Sequence, residues 1–242
     1  MGKDAKGKGK GGGGGGGGDG RAAAHARGRC GASLARLISR VEASATQALI
    51  VGAGSLVSLL GKALKQHQRR ADYRPNPDDE DAIMLMGKPT AACRCVLACL
   101  RTGAAMAAAS LAPPRTTASA AAAAGPSPHA AGLMEEVGAA LAKTLTQHMR
   151  GFTYSPQGAL RVKRDLSEYE DAFRGAGATA AAARMHELSA RANLLVVMAG
   201  SVEELVAELQ MGRAQALAWL RMREDFRTAR VSGKSFDAIF PA

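Results

Sequence analysis

Three cysteines, Cys93, Cys95 and Cys99, stand close together and are the first candidates for chemistry. On a helix only Cys95 and Cys99 share a face, and a structural zinc site needs four ligands, so the trio reads as small buried apolar side chains. His186-Glu187 opens the H-E-x-x-H pattern, in which two histidines one helical turn apart hold zinc, but Ala190 occupies the closing position. Gly233-Lys234-Ser235 has the ending of a phosphate-binding loop, whose first glycine would fall at Thr228. Gly52-Ala53-Gly54 begins like a dinucleotide fingerprint, but Val57 stands where the third glycine is needed. The acidic run Asp78 to Asp81 lacks the alternating ligands and central glycine of a calcium loop. No paired carboxylates and no nucleophile with a base at readable spacing emerge. The sequence therefore assigns no catalytic, cofactor-binding or metal residue, and points away from an enzyme.

One cluster invites binding chemistry. Arg161, Lys163 and Arg164 lie beside Asp165 and Glu168, close enough for neutralisation across a helical turn. A solvated helix face is the plain reading, and contact with a partner or an acidic lipid surface is the sharper one.

These residues must be carried by something, and composition says what. Hydrophobic residues make up 47% of the 242 and aromatics only 4%, so Ala, Leu, Val and Met supply the core. Alanine and leucine favour helix over strand, and an all-α fold follows. The formal charge of +11 suggests a polyanion partner, but most of it sits at the front, where nine basic residues face Asp4 and Asp19 among the first 40. The remainder is nearly balanced, which weakens nucleic-acid binding by the folded part. A basic nucleic-acid-associated protein working through its Gly/Lys/Arg tail is the alternative function. No secretory signal precedes the cysteines, so a reduced intracellular setting is expected. Ala48 to Leu60, the most apolar stretch, falls short of the ~20 residues of a membrane span and reads as buried helix. Lys6 stands where a myristoylation signal wants Ser or Thr.

Residues 1–31 are glycine-rich and predict disorder. From Ala32, Leu34, Leu37, Ile38, Val41, Ala45 and Leu49 follow helical spacing, which Leu56 to Leu64 continues, with Gly52 to Gly54 as the expected kink. Residues 32–111 form the first helical-bundle segment, broken by the prolines and acids of Tyr73 to Asp81 and resuming near Thr90. Residues 112–130 are an Ala/Pro linker. Residues 131–232 form a C-terminal bundle, and 233–242 a tail. Within that bundle, helices are expected over Ala131 to Gly151, from the Ser155-Pro156 cap to Gly175, over Thr179 to Met198, from a capping box at Ser201 to Glu204, and from Gly212 to about Val231. Amphipathic helices on short connections form antiparallel bundles, because each apolar stripe must cover a neighbour's.

Against this frame, Phe152 to Tyr169 (FTYSPQGALRVKRDLSEY) resembles a stretch of the exocyst component five, or Sec-ten, family, in its plant form. The likeness continues in order through Ala71 to Pro75, Pro89 to Cys93, Ala192 to Val197 and Leu220 to Arg230. The family is longer, carrying a coiled coil where this chain has its Gly-rich stretch. The resemblance implies stacked helical bundles of a tethering-complex rod and a scaffold that helps hold secretory vesicles at the plasma membrane. It also implies partners among the other exocyst subunits and small GTPases, and a cytoplasmic location, peripheral at the plasma membrane and vesicles.

Overall fold

The computed structural model describes residues 18–76, 78, 80, 84–111, 127–231 and 233–240. The chain divides into two units, Met1–Leu49 and Ile50–Ala242. The described residues of the first, 18–49, are the beginning of α1 (Gly18–His67). In the structure α1 already runs from Gly18, ahead of Ala32. Ala22, Ala23 and Ala24 are the strongest helix formers, and a helix already nucleated downstream gains one hydrogen bond for each residue it adds. Residues 1–17 lie outside the described part.

The second unit holds the core. The end of α1 contributes Leu60, Ala63 and Leu64 to it. The Ala48 to Leu60 stretch is less buried than expected, with Ile50 and Val51 60% and 58% exposed. It belongs to a longer helix, Cys30–His67, whose most apolar 18-residue window has a mean hydropathy of 1.5, enough by length and composition to cross a membrane, as is also the case for Leu85–Ser110. Shortness of the apolar stretch is therefore no physical bar, although Leu85–Ser110 packs its Val96, Leu97 and Leu100 into the core.

Three helices follow that a serine or threonine side chain caps. Thr90 caps α2 (Ala91–Ser110) by accepting from the Cys93 amide at 3.0 Å. Ser127 caps α3 (Pro128–Met149), and Ser155 caps α4 (Pro156–Gly175), each just before proline at the first helical position, where no amide donor is needed. Past the end of α4, Gly177 takes a φ of 75° that other residues resist. The chain then turns straight into α5 (Thr179–Ala192), so α4 and α5 form an antiparallel pair. Glu135 of α3 reaches across to accept from the amides of Ala180 and Ala181, capping α5 from a neighbouring helix. Gly138 is what lets α3 come this close, since a Cβ there would overlap the Ala181 methyl.

One core joins residues the sequence had divided. Leu60, Ala92, Val96 and Leu100 cluster with Val137, Leu141, Leu166, Phe173, Met185 and Leu195. Within the second unit, the end of α1 and α2 thus share one core with the helices of 131–232.

Four further expectations change. The helix expected over Thr179 to Met198 stops at Ala192 and tightens into a 3₁₀ turn at Asn193–Leu195. Ser201 makes no side-chain cap on α6 (Val202–Glu208), because a 3₁₀ turn at Ala199–Ser201 takes its backbone out of the extended conformation a cap requires. The last long helix, α7 (Arg213–Leu220), ends well short of Val231 because the backbone of Arg223 pairs with Tyr154 instead. Finally, 233–240 is not a tail. β1 (Arg230–Val231) pairs antiparallel with β2 (Lys234–Ser235), and α8 (Phe236–Ile239) follows. Phe236 is wholly buried and stacks on Phe226, and Phe240 is 4% exposed; aromatic rings of this size are driven from water.

Candidate functional site

The most polar place inside the molecule lies where the loop after α1, the start of α2 and the first turns of α4 meet. Asp165 of α4 is buried and accepts from both the amide and the hydroxyl of Thr90, each at 2.8 Å. Thr90 therefore serves two helices at once: its hydroxyl accepts from the Cys93 amide while donating to Asp165. One turn earlier, Arg161 is 6% exposed, bonds the Lys88 carbonyl through Nε at 3.3 Å and pairs with Asp72 at 3.2 Å. Asp72 is in turn fixed by Gln68 and by the Arg69 amide. Gly158 completes the junction, because any side chain there would overlap the Tyr73 carbonyl.

A second junction adjoins it. The Tyr73 ring packs edge-on to Phe152 at 5.3 Å and lies 5.0 Å from Tyr154, while the Tyr73 carbonyl accepts from Ser155. Tyr154 exchanges backbone hydrogen bonds with the strand-like segment after α7, its amide to Met222 at 2.8 Å and its carbonyl from Glu224 at 3.0 Å. The guanidinium of Arg223 between them engages four of its five N–H donors. It grips Asp225 with two bonds of 2.7 and 2.8 Å, donates to the carbonyls of Leu194 and Val197, and lies over the Phe236 ring. Arg74 adds an exposed pair to Glu224.

The electrostatics follow from burial. Asp165 is pushed up to about 6 by desolvation, against the pull of the Thr90 bonds, the Cys93 thiol and Arg161. Burial raises the Cys93 thiol as well, with nearby Asp165 adding to the effect, so it stays protonated and weakly nucleophilic. Tyr73, Tyr154 and Tyr169 are raised by the same cause. Arg223 holds Asp225 below the usual carboxylate range. His148, beside Phe152, is lowered by burial and by Lys65. Asp165, Tyr154 and Asp225 are spent on bonds within and between elements, whereas the buried Nε2 of His148 has no partner among the described residues; the chemistry the arrangement performs is joining.

The structure separates the basic cluster read from sequence. Arg161 points inward to Asp72 and is a strut of the junction. Arg164 is exposed and pairs with Glu168 across one turn, and Lys163 is half-buried. Cys95 and Cys99 are half-buried and Cys30 exposed, all free. Asp72, Thr90, Tyr154, Arg223 and Asp225 carry the junctions, yet periodicity alone singles out none of them. The available signal was Thr90 before the Cys93 helix, a cap in the right place.

The five stretches that carried the family likeness are the five that bond to one another here. Ala71 to Pro75 meets Phe152 to Tyr169 through Arg161–Asp72 and meets Leu220 to Arg230 through Arg74–Glu224. Pro89 to Cys93 meets Asp165, and Ala192 to Val197 meets Arg223. Residues 22–234 match the family model described as Exocyst complex component Sec10-like, alpha-helical bundle. The chain belongs to that family. Among curated relatives of this exocyst family, it is 29% identical over 195 residues to Exocyst complex component 5 of Oryza sativa subsp. japonica, covering 81% of this chain. It is 30% and 29% identical over 205 residues to Exocyst complex components SEC10b and SEC10a of Arabidopsis thaliana, covering 85% of the chain in each case. The matches span 22% of the rice relative and 23% of each Arabidopsis relative, so the chain corresponds to less than a quarter of their length.

Proposed function

We propose that this chain is a scaffold unit of an exocyst complex, one that helps tether secretory vesicles to the plasma membrane and works through its surfaces, with no reaction of its own. The observation that carries the reading is the convergence of the five exocyst-like stretches on two buried junctions. Their polar atoms brace helices against each other, as a strut under load requires, and none is left poised over a substrate. Other exocyst subunits are the partners, with small GTPases as further ones, and the chain is cytoplasmic and peripheral to membrane. Lys163 and Arg164, on the outer side of α4, are the partner-facing members of the basic cluster, and Arg161 supports them from within.

Affinity capture of the tagged chain from plant cells, read by mass spectrometry, tests this. Other exocyst subunits co-purify on this reading; a chain that folds and captures none of them refutes it. Lys163→Glu with Arg164→Glu lowers the captured amount several-fold while leaving the melting temperature within a few degrees. Undiminished capture removes these two residues from the interface.

A further inference from the structure

Ser201, Glu203 and Glu204 have the residue types of a capping box, yet the fold does not use them as one. Ser201 makes no side-chain cap on α6, and all three residues are exposed. They stand at the end of the connector that runs from the 3₁₀ turn at Asn193–Leu195 to the turn at Ala199–Ser201. Met198, 76% exposed, enters that second turn in extended backbone, so the chain faces solvent here. A serine with spare carboxylates two and three residues beyond it is the charge pattern that an acidophilic protein kinase reads. α6 is only 7 residues long, so its first turn opens readily for an enzyme that takes its substrate extended.

We propose that Ser201 is a phosphorylation site for such a kinase, and that Arg230 receives the phosphate. In the transfer the Ser201 Oγ attacks the γ-phosphorus of a nucleoside triphosphate, the bond from that phosphorus to the bridging oxygen breaks, and the nucleoside diphosphate leaves. The hydroxyl proton passes to the kinase's carboxylate base. The new group is doubly acidic and repelled by Glu203 and Glu204, so it needs a cation. β1 (Arg230–Val231) packs against the Ala199–Ser201 turn, and Arg230 is exposed, with no ion pair among the described residues. Its planar fork suits two phosphate oxygens. The same connector is already gripped by Arg223, which bonds the carbonyls of Leu194 and Val197 and lies over the Phe236 ring of α8. A phosphate on Ser201 adds a second clamp from β1, tying the β1–β2 hairpin to the connector and stiffening this end of the molecule.

Incubation of the folded full chain with ATP and a purified acidophilic kinase of the casein-kinase type, followed by mass-spectrometric mapping, tests the site. Phosphate is expected on Ser201 and absent there in Ser201→Ala, and its incorporation falls several-fold in Glu203→Gln with Glu204→Gln. These side chains are exposed and cap nothing, so the variants keep the wild-type melting temperature. Hydrogen exchange then reads the clamp. In the phosphorylated chain the amides of Val196, Val197 and Ser201, which are bonded within the connector, exchange several-fold more slowly, and Arg230→Gln removes that gain without preventing phosphorylation. No phosphate on Ser201, under conditions that fully phosphorylate a control peptide carrying Ser-Val-Glu-Glu, overturns the site. Incorporation indifferent to the two glutamates overturns its recognition by acidic charge. Exchange that does not slow, or slows equally in Arg230→Gln, overturns the role of Arg230.

Discussion

Asp165 shows how one carboxylate holds two helices at an electrostatic cost. Burial raises it to about 6, so the folded state binds its proton more tightly than the unfolded chain does. Its contribution to stability is therefore most favourable in acid and is lost as pH rises from about 4 through 6, leaving a cost on the order of 2–3 kcal/mol at neutral pH. Asp165→Asn retains an acceptor for the Thr90 amide and cannot ionise. Urea unfolding should then show wild type losing stability relative to this variant between pH 4 and 6.5; parallel pH profiles would refute the assignment. Arg223 behaves differently, because it is buried with four of its five N–H donors engaged. Removing its side chain strands the carbonyls of Leu194 and Val197 and leaves Asp225 unpaired, so Arg223→Ala should cost roughly 3–5 kcal/mol by denaturant unfolding. Lysine at this position should recover little, since it lacks the planar fork. The exposed Arg74–Glu224 pair is worth at most about 1 kcal/mol by contrast.

At the scale of elements, what the sequence announces depends on what holds each element in place. α2 and α4 are legible because their caps and apolar stripes are local: Thr90 and Ser155-Pro156 mark their starts within a residue or two, whereas α3 begins at Pro128, three residues ahead of the expected Ala131, because its Ser127 cap stands at the end of the Ala/Pro run read as linker. The segment after α7 is not legible, since its conformation comes from pairing with Tyr154, some 70 residues away, which no local period encodes. The same reason hides α8, whose short run looks like a tail until Phe236 is seen between Phe226 and Arg223. The Ser201 capping box misleads in the opposite direction: the residue types fit, but the preceding turn decides the backbone. Phe236→Ala should therefore cost about 3–5 kcal/mol and lower the thermal midpoint by many degrees, as a core truncation does, whereas a true tail residue would change neither.

For the whole molecule, the five family-like stretches were legible as a series and illegible as a site, because their spacing along the chain says nothing of their meeting in space. Two facts join them: the bonds that link each stretch to another, and the family match over residues 22–234. A polar network of this kind specifies one arrangement of helices only when each member is satisfied. If the junctions act as one unit, opening any of them opens the rest. Native-state hydrogen exchange measures this most directly. The amides of Thr90, Tyr154, Ser155 and Glu224, which donate to Asp165, Met222, Tyr73 and Tyr154, lie in three of the stretches that sequence analysis set apart by tens of residues, and they should be protected to a similar free energy and released in one cooperative step with the core of α4. Exchange of Tyr154 and Glu224 at the rate of an ordinary surface loop, while α4 stays protected, would contradict the account.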